Sequence, residues 1–64
     1  MTDYEIKLAE VEQDKKNTII KDFECYESTD DEQVILVYES YFEITEWVFT
    51  NTGKFIEKFS HKAY

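Results

Sequence analysis

The sequence predicts a mainly β (or α+β) fold, a small antiparallel sheet of about five strands in one domain. Three observations predict it. Val34-Ile35-Leu36-Val37-Tyr38 is a β-branched, aromatic-ended apolar run of strand length. Several flanking segments alternate apolar and polar residues. Asn51-Thr52-Gly53 separates two aromatic-rich runs, with Gly53 able to supply the positive φ of a bulge-type hairpin turn. At 64 residues the chain makes a single domain, 1–64. A domain this small hides roughly 60% of its unfolded surface, so its core is thin.

With no proline and a single glycine, boundaries must come from periodicity. Tyr4, Ile6 and Leu8 alternate with Glu5 and Lys7, as in a half-buried strand; Val11 falls on the opposite parity, which a bulge or strand end would explain. Residues 13–17 read as a polar connection. Ile19, Phe23 and Cys25 share one parity of a second strand, 18–26, in which Lys21 is an unexplained intruder. Glu27 to Glu32 is the next turn. The 34–38 strand is apolar on both parities, whereas a sheet with one wet face should alternate. Either it is covered on both sides or one face is left for a partner. Val34, Leu36 and Tyr38 lie on one parity and Ile35 and Val37 on the other, and one set must serve the core. Phe42 to Thr50 is a fourth strand. Residues 54–59 read as a fifth, because a hairpin signal precedes them. A short C-terminal helix is the alternative, since Phe55, Ile56, Phe59 and Ala63 also fit one helical face.

Charge is the most informative feature for function. The chain carries fifteen acids against seven lysines and no arginine, a net charge of −8. Between Asp22 and Gly53 there are nine acids and no base, and the same stretch holds Phe23, Tyr26, Tyr38, Tyr41, Phe42, Trp47 and Phe49. Disordered acidic tracts are poor in aromatics, so this one folds. One sign of charge on a folded surface repels itself, a cost that invites a functional reason. Imitation of a polyanion, the phosphate track of DNA, supplies one. Direct binding to nucleic acid is disfavoured, because that affinity rests on Lys and Arg; a basic protein partner is favoured.

Sites for chemistry are nearly empty. His61 is the only imidazole and Cys25 the only thiol, too few for a zinc site or an activated nucleophile with an orienting group. The plain reading of Cys25 is a small buried strand side chain. Asp30-Asp31-Glu32 lacks the spaced ligands of a calcium loop. Neither an enzyme nor a cofactor or metal site is expected. No apolar run is long enough to span a bilayer and no signal-peptide pattern is present, so the expectation is a soluble intracellular protein.

The run Ile19-Ile20 to Glu27-Ser28-Thr29-Asp30-Asp31-Glu32-Gln33-Val34-Ile35-Leu36-Val37 resembles the central hairpin of the phage uracil-DNA glycosylase inhibitor family. An acid after that strand (Glu39, offset by one residue), Trp47, the Asn51-Thr52-Gly53 turn and a closing strand continue the resemblance, which covers about residues 18–59. It implies a DNA-mimic inhibitor: acids on an exposed strand edge replace phosphates, and an apolar pocket receives a leucine of the enzyme. By position, Ile35 and Val37 match residues lining that pocket, which the resemblance implies leaves Val34 and Leu36 to the core; Glu39 matches an acid after the same strand, and Glu10 more loosely the edge-strand glutamate. The family places a helix between its first two strands to close the pocket, and residues 13–17 are too short for one. The pocket is then built differently, by the C-terminal segment for instance, or two chains complete it; a homodimer stays open.

The sequence reading is thus an acidic DNA-mimic inhibitor domain of phage type, acting in the cytoplasm of an infected bacterium. Its expected partner is a basic DNA-binding protein, with uracil-DNA glycosylase first. Another nucleic-acid-binding target (a CRISPR effector, restriction enzyme or polymerase) and a strand-addition module are the alternatives. The expected partner-binding residues are Glu10, Glu27, Asp30, Asp31, Glu32, Ile35, Val37, Glu39 and Glu43.

Overall fold

The computed structural model describes residues 1–28, 30 and 32–62. It contains one helix, α1 (Asp3–Lys16), followed by four strands, β1 (Ile20–Ser28), β2 (Gln33–Ser40), β3 (Glu43–Thr50) and β4 (Phe55–Lys62). The strands form one antiparallel sheet in the order β1-β2-β3-β4, each paired with its neighbour in sequence.

The N-terminal strand expected at Tyr4–Leu8 is a helix instead. Thr2 and Glu5 form a capping box: the Glu5 N–H donates to Thr2 Oγ1 and the Thr2 N–H to Glu5 Oε1, each at 3.1 Å. Asp3 and Glu5 in the first turn and Lys15 and Lys16 in the last suit the helix dipole. Tyr4, Leu8 and Val11 then fall on one stripe at i, i+4 and i+7 and meet the core, while Ile6 is 53% exposed. Val11 is therefore in phase with a helix rather than out of phase with a strand. Residues 13–16, expected as a connection, are its last turn. The end is a Schellman motif: the Ile19 N–H reaches the Asp14 carbonyl and the Thr18 N–H that of Lys15, with Thr18 at φ 59 in the place glycine usually takes.

That cap consumes residues 17–19, so β1 begins at Ile20 and not at 18. Ile20, not Ile19, enters the core; Ile19 is 56% exposed. The pairing slips between Ile20 and Asp22, and Lys21 is the extra residue of that bulge, which is why it interrupted the alternation. A second slip lies between Val48 and Phe49, where Phe55 pairs with Phe49 and Glu57 with Val48. Ile56 is the extra residue, so Phe55 and Phe59 share a parity but point to opposite faces. This produces the helix-like spacing of that segment, yet it is a strand through Lys62. No C-terminal helix forms among the described residues. The sheet has four strands, not about five, because the first expected strand is α1.

The helix covers one face only. The core joins Val11, Ile20, Leu36 and Phe49, with Tyr4, Leu8, Phe23, Tyr38 and Trp47 packed around it. Tyr4 meets Phe49 edge-on at 5.4 Å between ring centroids. The helix start is tied to the β3–β4 turn, where the Tyr4 N–H donates to the Gly53 carbonyl and the Phe55 N–H to Asp3 Oδ2. Gly53 sits at φ 92, and a Cβ there would come within 2.6 Å of Thr2.

Candidate protein-binding face

The register fixes the membership of the face away from the helix. Val37 pairs with Glu24 on one side and Glu46 on the other, and Glu46 pairs with Phe59. One row along, Ile35 lies between Tyr26 and Val48, and Val48 pairs with Glu57. In the opposite direction Glu39 lies between Asp22 and Ile44, and Ile44 pairs with His61. Val37, Ile35, Val48, Ile44 and Phe59 thus form an apolar floor, crossed and bordered by Asp22, Glu24, Glu39, Glu46 and Glu57. No described element packs over it. Strands lie about 4.8 Å apart, so the backbones carrying Glu24 and Glu46 are roughly 10 Å apart, with Val37 between them.

Its parts are held in place by their own neighbours. Val48 is only 4% exposed yet is no part of the cluster under the helix, so the side chains of its own face bury it. Tyr26 reaches across β2 and donates its hydroxyl to Glu46 Oε1 at 3.3 Å. Burial, and then the Glu46 charge, raise the Tyr26 pKa, which keeps that proton on the phenol. Asp22, Phe23, Glu24, Val37, Glu39 and Ile44 line a shallow hollow of about 260 Å³ at one corner. Asp22 accepts from Lys15 Nζ at 3.1 Å and from the Phe23 N–H at 2.9 Å, and these bonds hold its carboxyl below the usual carboxylate range.

Lys7 and Lys58 are drawn to the other side. Lys7 Nζ sits 4.4 Å from the Trp47 ring centroid and bonds Glu10 at 3.1 Å; Lys58 lies over the same indole at 5.4 Å. The indole N–H in turn donates to the Tyr38 hydroxyl at 3.0 Å. Lys21, in the β1 bulge, approaches Glu39 at 3.9 Å and marks the rim of the acidic face. Cation–π contact under the helix thus keeps Lys7 and Lys58 off the opposite face, whose acids meet lysine at the β1 edge, Asp22 with Lys15 and Glu39 with Lys21.

The expected binding residues are dispersed. Ile35, Val37 and Glu39 share the uncovered face. Glu10 is on α1, paired with Lys7, and so is no edge-strand glutamate. Glu27 pairs with Val34 on the helix side, beside a hollow of about 450 Å³ that Thr2, Tyr4 and Cys25 also line. Asp30 and Glu32 are exposed at the β1–β2 turn, and Asp31 lies outside the described residues. Glu43 closes the far end of β3 opposite Lys62, its N–H held by Ser40 Oγ. Sequence reading missed Glu24, Tyr26, Ile44, Glu46, Val48, Glu57 and Phe59. A parity count along β1 and β3 outward from Val37 would have found Glu24 and Glu46; Phe59 was hidden by the bulge.

The lone thiol and the lone imidazole lie apart. Cys25 is exposed rather than buried, because Leu36 opposite it lies at the centre of the sheet while β1 is an edge. It takes part in a hydrogen bond with Tyr4 that, with burial, pushes the phenol up to about 12. His61 is on β4 and on the other face, so thiol and imidazole do not meet. Among the described residues no group of His, Cys, Asp and Glu is placed to hold a metal, and no helix is long and apolar enough to cross a membrane.

Comparison with protein-family models, curated proteins and solved structures gives no match.

Proposed function

We propose that this protein is a DNA-mimic inhibitor that docks its uncovered sheet face into the DNA-binding surface of an enzyme, with uracil-DNA glycosylase as the first target. The observation that carries this reading is an apolar floor of Val37, Ile35, Val48 and Ile44 bordered by Glu24, Glu39, Glu46 and Asp22. Acids displayed in rows offer a basic groove the charge it meets on DNA, and they steer the encounter. The floor supplies the desolvated centre that a tight interface needs and that charge alone does not. The hairpin resemblance across residues 18–59 supports the choice of target, and the 260 Å³ hollow beside Val37 is a receptor for one apolar side chain of the enzyme.

The test is uracil excision from DNA in the presence of the protein. Inhibition at near-stoichiometric protein is expected. Full excision at large molar excess would remove uracil-DNA glycosylase as the target, and the same titration against a polymerase, a restriction enzyme and a CRISPR effector would then decide whether the mimic reading survives.

A further inference from the structure

The two edges of the sheet differ. β1 carries Asp22, Glu24 and Glu27 and begins with a bulge, the devices that keep edges from pairing. β4 is paired on one side only, all eight of its residues are exposed, and it holds one acid. Phe55, Ile56 and Phe59 are 41%, 42% and 49% exposed. Lysines often guard edges, but Lys58 is turned over Trp47 on the helix side and leaves the Phe59 side unguarded.

We propose that β4 pairs antiparallel with β4 of a second copy about a two-fold axis at Phe59, making one continuous eight-stranded sheet. Such an axis keeps like faces on the same side, so facing residues share a parity. Only a few registers remain, and charge separates them. An axis at Lys58 or Glu57 sets like charges face to face, and one at Ser60 brings Lys58 against Lys62. The axis at Phe59 stacks the two Phe59 rings and sets Glu57 against the second copy's His61 on both sides. Lys58 then faces Ser60, and Ile56 faces the stem of Lys62. No like charges face each other directly. The row Glu24-Val37-Glu46-Phe59 continues into its copy in reverse, doubling the acidic face without a break. The pairing does not rest on the identity of the target enzyme, since it follows from the free edge and its self-complementary charges.

Cysteine cross-linking in a Cys25→Ser background tests the register. Facing residues of an antiparallel pair have Cα atoms about 4.5–5.5 Å apart, within disulfide reach. Mild oxidation of Phe59→Cys is expected to give a covalent dimer, while Ile56→Cys, whose two copies lie on opposite sides of the axis, stays monomeric. Sedimentation of the unmodified protein should show a mass that rises with concentration toward twice the 7.7 kDa chain. Phe59→Lys should abolish that rise with an unchanged circular dichroism spectrum. A single 7.7 kDa species at every concentration, or equal cross-linking of the two cysteine variants, would overturn the proposal.

Discussion

The two faces of this sheet are built from the same strands and solve opposite problems. Under α1, Leu36 and Phe49 are wholly buried, and the lysines near them are absorbed by Trp47 and Glu10. On the other face Val37, Ile35 and Ile44 are half-buried among carboxylates that lysine reaches at the β1 edge, Lys15 at Asp22 and Lys21 at Glu39. The first face has stability to gain from every contact. The second keeps apolar surface and like charge side by side, which costs stability and is the surface the proposed docking would use.

The largest expected effect belongs to the covered face. Leu36→Ala should cost about 2–5 kcal/mol in chemical denaturation, a large part of what so small a domain possesses. Gly53→Ala comes next: the backbone at φ 92 and the contact with Thr2 should cost about 1–3 kcal/mol and loosen the helix start. Thr2→Ala, which removes the capping box, should cost about 1 kcal/mol. On the uncovered face Val37→Ala should cost about 1 kcal/mol or less while weakening partner binding. If Val37→Ala unfolds the protein as Leu36→Ala does, the faces are not divided as described. The smallest effect is on folding by salt: screening should raise the melting temperature modestly, because the block from Asp22 to Gly53 repels itself while few described charges are paired. The same screening should slow association with the target and leave dissociation nearly unchanged.

Much of this architecture was legible and the failures have identifiable causes. β2, β3 and the Gly53 turn follow from composition and alternation, and the parity of Leu36 against Val37 is fixed once one face is covered. The N-terminal helix was missed because Tyr4, Ile6 and Leu8 imitate an alternating strand; the capping signature Thr2-x-x-Glu5 and the stripe Tyr4, Leu8, Val11 were the better evidence. Its end was invisible because Thr18, a residue that disfavours φ 59, does the work of glycine. Glu57 and Phe59 were obscured by the bulge at Ile56, and the start of β1 by the one at Lys21; each flips parity without a glycine or proline to mark it. Ile35, Val37 and Glu39 were singled out by the hairpin resemblance, since a strand apolar on both parities does not tell its faces apart; β2 pairs without a slip against β3, so the three share one face. Glu10 was misplaced with the helix that carries it.

Charge reversal on one face at a time separates the acids beside Val37 from the overall charge of the chain. Uracil-DNA glycosylase is titrated with the parent protein, with the double variant Glu24→Lys, Glu46→Lys on the uncovered face, and with Glu12→Lys on the exposed side of α1, each first shown to melt as the parent does. Strong inhibition by the parent, nearly unaltered inhibition by Glu12→Lys, and loss of inhibition with slowed association for the double variant are expected. Inhibition by the double variant as strong as the parent's would contradict the proposed docking, because the acids beside Val37 would then have no part in binding.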